Sequence, residues 1–208
     1  MKAHTRETQA TMTPQKAVDF LKEGNKRFQN NLKINRNLLE QVNDTSEGQF
    51  PFATILSCID SRVSAELIFD QGFGDVFSVR IAGNFVNEDI LGSMEFACKL
   101  AGTKVIVVLG HTHCGAVKGA CDDVEMGNLT CLLDKIKPSI KDETITKGNR
   151  NSTNENFVLN VTKINIKRSI KDILDKSRIL RDMVDNGEIK MVGGIHDISN
   201  GLVTFFND

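Results

Sequence analysis

The sequence predicts an α/β fold in which a mostly parallel central sheet is flanked by helices, with a helical arm at the N-terminus and a strand pair at the C-terminus. Apolar runs of strand length alternate with helical patterns, which is typical of βαβ units with right-handed crossovers. The chain has 208 residues, of which 40% are apolar. This length suits a single domain over residues 1–208, in which residues 1–45 form the helical arm.

Three predicted strands form the centre of the sheet, over 52–57, 76–80 and 105–109. Their apolar residues are nearly continuous, as in parallel strands that are buried on both faces. A short helix is predicted over 64–71, and a longer helix begins at the capping residue Asn87. In open sheets of this kind, ligands gather beyond the carboxyl ends of the strands.

The helical arm begins with Thr13 as a cap and Pro14 in the first turn. Apolar residues then recur at helical spacing, namely Ala17, Phe20, Leu21 and Phe28. A second, weaker helix is predicted over 35–43. The apolar face of the first helix suits packing either on the core of its own chain or on a partner subunit.

The C-terminal part combines helices with a strand pair. Its predicted elements are, in order, a helix over 128–140 interrupted by Pro138, a polar surface connection over 141–153 without chemistry, a helical stretch over 157–184 with a bend near Ser177, and strands over 189–195 and 202–206. The two strands are joined around Asn200 and Gly201, a strong signal for a hairpin.

The charge balance argues against large anionic partners. With 26 basic and 27 acidic side chains the chain is nearly neutral, so we expect neither nucleic-acid nor membrane binding. A small neutral or singly charged substrate fits better. The chain has no apolar run long enough to span a bilayer, and its first twelve residues lack the apolar middle of a signal peptide. We therefore expect a cytoplasmic protein, although a leader removed earlier would leave no trace in this sequence.

Two of the five cysteines combine with a histidine into a predicted metal site. Cys58 follows one buried strand, while His111 and Cys114 follow another, so two thiolates and one imidazole should meet at one edge of the sheet. This ligand set suits Zn²⁺. Three protein ligands with a fourth position open to water or to Asp60 is the pattern of catalytic zinc, which indicates a hydrolytic or hydration enzyme.

The other three cysteines are expected to be buried small hydrophobes outside the metal site, namely Cys98, Cys121 and Cys131. An odd number of cysteines at irregular spacing does not suggest a disulfide framework.

At these positions the sequence resembles the β-class carbonic anhydrases. Their two signatures read here as Cys58-Ile59-Asp60-Ser61-Arg62 and His111-Thr112-His113-Cys114. The resemblance implies a zinc enzyme with one Zn²⁺ per chain that interconverts carbon dioxide and bicarbonate. It also implies that Asp60 and Arg62 are catalytic and that the protein self-associates as a dimer or tetramer.

The resemblance further assigns a substrate pocket to Gln49, Phe77, Ala82 and Phe96. Without it, the two phenylalanines would be read as core residues. Phe96 lacks the hydroxyl that other members carry as tyrosine, so the resemblance implies no polar role for it. His196 also stands where tyrosine is common, and we interpret it as structural.

Three alternatives remain open from the sequence. Asp60 can orient the attacking water or bind the metal itself and displace that water. His113 can shuttle protons or be a solvated loop residue. The protein can also be a zinc hydrolase of a related substrate such as CS₂, or a non-catalytic zinc- or thiol-sensing protein. Asp60, Arg62 and Gln49 argue against the sensor, because a metal store needs none of them.

Overall fold

The computed structural model describes residues 3–206, and a five-stranded sheet lies at its centre. Numbered in chain order as β1 to β5, the strands are Ala53–Ser57, Val76–Arg80, Val105–His111, Lys190–His196 and Val203–Phe205. Their order across the sheet is β2-β1-β3-β4-β5. The first three neighbouring pairs are parallel, and β4 with β5 is antiparallel. The predicted sheet and C-terminal strand pair are confirmed.

The burial of the strands explains their sequence patterns. Every residue of β1 and β3 is buried, which is why both read as continuous apolar runs. Strand β2 lies at one edge of the sheet and is partly exposed. In the register, Ser57 is opposite both Arg80 and Leu109, so β1 and β2 end together and β3 runs two residues further along the same edge, to His111. The residues that follow them are therefore brought together.

Helices cover both faces of the sheet. Numbered α1 to α10, they are Arg6–Ala10, Pro14–Gln29, Leu38–Asp44, Ala65–Ile68, Glu88–Glu95, Gly115–Cys121, Gly127–Asp134, Lys137–Asp142, Glu155–Lys176 and Arg178–Asp185. Within residues 3–206, no helix combines the length and apolar character needed to cross a membrane.

The helical arm packs against its own chain. Thr13 accepts a hydrogen bond from the Lys16 amide and Pro14 opens α2, as predicted. Val18 and Leu21 of α2 are buried in a core cluster on one face of the sheet, with residues of β1, β3 and α4. Helices α5, α9 and α10 contribute to the core cluster on the opposite face.

Three features of the helices refine or confirm the prediction. Helix α5 continues into a π-helical turn over Phe96–Leu100, and the positive φ of 82° at Gly102 follows its end. Pro138 does not sit at the helix break: it lies in the first turn of α8, where its missing N–H costs nothing. Ser177 separates α9 from α10 and caps the latter through Leu180, as the predicted bend indicated.

The connection over 141–153 is more tightly anchored than its polar sequence suggested. Glu143 is buried and accepts hydrogen bonds from the Thr146 amide at 3.0 Å and from Arg150 Nη1 at 2.5 Å. The Arg150 guanidinium lies 4.7 Å from the ring centroid of Phe157, at the start of α9. An ion pair between the buried Glu143 and the partly exposed Arg150 thus organises a segment predicted to be a plain surface connection.

The expectation that all three remaining cysteines are buried is wrong in part. Cys98 is buried, Cys121 is half-buried, and Cys131 is exposed on α7. Helix α7 is short and buries only Leu133, so most of its surface, including Cys131, faces solvent.

Candidate metal centre

The ligand side chains predicted from the sequence meet at the carboxyl edge of the sheet. Cys58 follows β1, His111 ends β3, and Cys114 is the capping residue before α6. All three are buried, and their candidate ligand atoms lie within 4.8 Å of one another. The two sulfur atoms are 3.9 Å apart. This arrangement can hold one metal ion.

The chemistry of the donor set fits Zn²⁺. His111 Nδ1 lies 2.9 Å from the Thr112 carbonyl oxygen, so it carries the proton and leaves Nε2 with a free lone pair. That Nε2 is buried and has no hydrogen-bond partner among the described residues. A buried, unpaired nitrogen is costly unless something binds it, and two cysteine sulfurs lie beside it.

The two cysteines differ in acidity because they are so close. The Cys114 thiol donates to Cys58 Sγ, which lowers the pKa of Cys58, and the hydrogen bond from the Gly83 amide lowers it further. The charge on Cys58, together with burial, raises the pKa of Cys114. The amides of Ala116 and Val117, at the start of α6, lower the pKa of Cys114, but they are outweighed.

Asp60 and Arg62 form a bidentate pair beside the cluster. Arg62 Nε donates to Asp60 Oδ1 at 2.9 Å and Nη2 donates to Oδ2 at 2.8 Å, while the Arg62 amide donates to Oδ1 at 3.0 Å. These bonds hold the pKa of Asp60 well below its usual range, so the carboxylate is ionised. Its Oδ2 lies 4.0 Å from His111 Nε2. An oriented anion therefore borders the predicted metal position.

Arg80 is a residue of the site whose role the sequence did not reveal. Its Nε donates to the Cys58 carbonyl at 3.0 Å and its Nη2 donates to the Asp60 carbonyl at 2.7 Å. It thereby ties the loop after β1 to the end of β2. The sequence placed Arg80 at the end of a predicted strand, within the stretch 79–84 that shares in the resemblance, but neither observation indicated which groups it binds.

The four predicted substrate residues do not form one pocket within a single chain. Phe77 and Phe96 have ring centroids 6.2 Å apart and line an open cavity of about 820 Å³ along β2 and α5. Phe96 is 52% exposed, so reading it as core would have been wrong. Gln49 lines a separate hollow with Phe73. Ala82 is half-buried after β2. Their shared role stays a prediction.

The two histidines near the cluster have different surroundings. His113 is partly exposed, has a positive φ of 55°, and places Nδ1 3.8 Å from Glu155 Oε1. His196 is buried opposite His111 in the β3–β4 register, and neither of its ring nitrogens has a hydrogen-bond partner among the described residues. Burial and the neighbouring His111 lower the pKa of His196 to about 4. Its buried position agrees with a structural role.

Comparisons with known protein families and sequences all find similarity to carbonic anhydrases. A family model described as carbonic anhydrase matches residues 53–203. Carbonic anhydrase 2 of Mycobacterium tuberculosis is 31% identical over 194 residues, covering 90% of each protein. The carbonic anhydrase of Mycolicibacterium smegmatis is 38% identical over 133 residues, covering 61% of this chain and 65% of that protein.

Solved structures show the same fold. The β-carbonic anhydrase CcaA superposes with a TM-score of 0.71 at 26% identity, covering 91% of this chain and 95% of that one. A tetrameric β-carbonic anhydrase from Sordaria macrospora has a TM-score of 0.72 at 24% identity, covering 89% of this chain and 91% of that one.

Proposed function

This chain belongs to the β-carbonic anhydrase family, and we propose that it hydrates carbon dioxide reversibly to bicarbonate and a proton. The observation that carries the proposal is the buried cluster of Cys58, His111 and Cys114 with the ionised Asp60 at its edge. A Zn²⁺ ion bound there would make water nucleophilic, a role whose standard example is a carbonic anhydrase with three histidine ligands. Two thiolates in place of two of those histidines would neutralise the charge of the metal, so we expect a less acidic water and more activity at alkaline pH.

Asp60 orients the attacking water in this proposal. Arg62 occupies both carboxylate oxygens from one side, and Oδ2 faces His111 Nε2 with its remaining acceptor capacity. A carboxylate fixed in this way accepts a hydrogen bond from water and holds its lone pair toward the substrate. The alternative, in which Asp60 binds the metal, requires the bidentate pair with Arg62 to break. The geometry therefore favours the orienting role.

The substrate pocket and self-association belong together in the proposal. Phe77 and Phe96 offer carbon dioxide an apolar wall, but their cavity is open, and Gln49 lies in a separate hollow. A second copy of the chain packed on this surface would close the cavity. We therefore propose a homodimer, or a tetramer built from two dimers, as the active form, in a cytoplasmic setting.

Stopped-flow hydration of carbon dioxide by the zinc-loaded protein tests the function, with CS₂ offered as a competitor. Hydration with little effect of CS₂ supports a carbonic anhydrase. Turnover of CS₂ without hydration supports the related hydrolase, and zinc binding without either activity supports a sensor. Cys114→Ser should abolish zinc binding, whereas Cys131→Ser, at an exposed cysteine outside the cluster, should leave zinc content and activity unchanged.

A further inference from the structure

The Gly83 amide donates a backbone hydrogen bond to one sulfur of the candidate metal centre. It donates to Cys58 Sγ at 3.4 Å, from a turn over residues 81–84 that follows β2. Gly83 has a φ of 75° and Asn84 a φ of 42°, both in the left-handed region. That region disfavours Asn84 relative to glycine, so the turn needs contacts from outside to keep its shape.

Helix α9 supplies those contacts from the core. Asn165 Nδ2 donates to the Gly83 carbonyl at 2.8 Å, and Ser139 Oγ on α8 lies 3.3 Å from Asn165 Oδ1. Asn165 and Ser139 are both buried. From another side, Ile136 Cδ1 lies 2.4 Å from the position that a Cβ on Gly83 would occupy. Gly83 is thus enclosed and cannot be replaced by a larger residue without movement.

We propose that Asn165 is a positioning residue for the metal centre, acting through Gly83 on the sulfur of Cys58. The carbonyl that Asn165 holds and the amide that reaches the sulfur belong to the same residue. These two groups lie on the peptide units on either side of the Gly83 Cα. Holding the carbonyl therefore limits the rotation about that Cα by which the amide would turn away from the sulfur. The amide in turn fixes the sulfur in place and withdraws negative charge from it.

The polar residues of α9 support this assignment. Asn165 and Ser169 lie one helical turn apart on the buried face of α9, among apolar residues. Both donate to the backbone of the same turn, Ser169 Oγ reaching the Asn84 carbonyl at 3.1 Å. Ser169 bonds one residue further from the sulfur contact. It is therefore a matched control for the same kind of buried bond.

The inference rests on the proposed metal site, and cobalt substitution separates the two. In Co²⁺-loaded protein, the sulfur-to-cobalt charge-transfer absorption reports electron density on the thiolates, and zinc affinity is measured by competition with a chromophoric chelator. Asn165→Leu should move the absorption to lower energy, because the sulfur loses a hydrogen bond, and should weaken zinc binding about tenfold or more. Ser139→Ala should shift it in the same direction by less. Ser169→Ala should leave absorption and affinity as in the unmodified chain.

Unchanged absorption and affinity in Asn165→Leu would overturn the inference. If that variant does not fold, Ser139→Ala decides, and an unchanged spectrum in it has the same meaning. A shift in Ser169→Ala equal to that in Asn165→Leu would also overturn it, since any loosening of the turn would then suffice. Absence of the charge-transfer absorption in the unmodified chain would instead remove the metal site itself.

Discussion

The candidate metal centre is held in shape by hydrogen bonds to backbone atoms. Arg80 holds the carbonyls of Cys58 and Asp60, and the Gly83 amide contacts the Cys58 sulfur. The short loop between Cys58 and Arg62 therefore has little freedom to rearrange. The fixed loop holds the Asp60 backbone in place, and the pair with Arg62 holds its carboxylate beside the ligand cluster, an arrangement that suits the proposed orienting role.

Replacing Asp60 with asparagine tests that role. The Asp60→Asn variant should keep zinc through Cys58, His111 and Cys114, yet lose turnover by about 100-fold or more, because the amide no longer offers an ionised acceptor. Metal analysis and hydration rates measure both effects. Asp122→Asn is the control, since Asp122 is exposed and accepts a hydrogen bond outside the site. Near-normal turnover would contradict the orienting role, and loss of zinc would make Asp60 an obligatory ligand.

The remaining cysteines should be dispensable for zinc. Burial raises the pKa of Cys98 and of Cys121 to about 11, so neither is a thiolate at neutral pH. Cys131 is exposed. A triple variant with Cys98→Ala, Cys121→Ser and Cys131→Ser should retain one zinc per chain, as measured by metal analysis of the folded protein. Loss of the metal without loss of the fold would show that the ligand assignment is wrong.

At the level of secondary-structure elements, a buried aspartate binds the end of the helical arm to the rest of the fold. Asp70 follows α4 and accepts hydrogen bonds at 2.6 Å from both Arg27, at the end of α2, and Arg36, before α3. The side chains of Asp70 and Arg36 are buried, so solvent screens their ion pair little. Asp70 thereby joins two arm segments to the helix beneath them.

The ion pairs of Asp70 predict that the stability of the fold depends on pH. Burial would raise the pKa of Asp70, but the hydrogen bonds from Arg27 and Arg36 outweigh it and the pKa is lowered. A lowered folded-state pKa contributes stability above the unfolded value of about 3.9, and this contribution is lost as pH falls through the folded-state pKa. Asp70→Asn should therefore cost about 3–5 kcal/mol near pH 7, where it leaves Arg36 buried and unpaired.

Urea unfolding measures that difference between pH 7 and pH 2.5. The gap between Asp70→Asn and the unmodified chain should narrow toward the acid end, because protonation of Asp70 removes its advantage there. Asp175→Asn is a suitable control, since Asp175 forms its ion pairs at the exposed surface and should contribute about 0–1 kcal/mol. A gap that is constant with pH would exclude ionisation of Asp70 as its cause.

Sequence patterns predicted the elements that have strong local signals. Strand β2 was predicted with its observed bounds, and the ligand cluster followed from placing motifs at strand ends. Helix α1 was missed because its five residues carry too little periodicity. The bond between Asn165 and Gly83 joins residues 82 positions apart, and an asparagine in a helix gives no sign of its distant partner. Such contacts depend on tertiary packing, which local patterns do not encode.

At the scale of the whole molecule, the open edge of the sheet is the most informative feature. No strand among residues 3–206 pairs with the outer side of β2, and the apolar cavity lined by Phe77 and Phe96 lies along it. Exposed edges with apolar neighbours are ready sites for association. A second copy placed here would cover the edge and the aromatic pair together, which favours an active form with more than one chain.

Light scattering and activity measurements on the same samples test this arrangement. The unmodified protein should have the mass of a dimer or tetramer, and Phe96→Glu should shift the mass toward the monomer, because a buried carboxylate without a partner opposes an apolar interface. Stable interfaces of this kind bury about 1,200–2,000 Å², so one central charge should weaken the association measurably.

Ile145→Glu adds the same charge at an exposed side chain on the 141–153 connection, away from β2, and should leave the mass unchanged. A fully active monomer of the unmodified chain would show that one copy completes its own site, and an undisturbed mass in Phe96→Glu would move the interface to another surface.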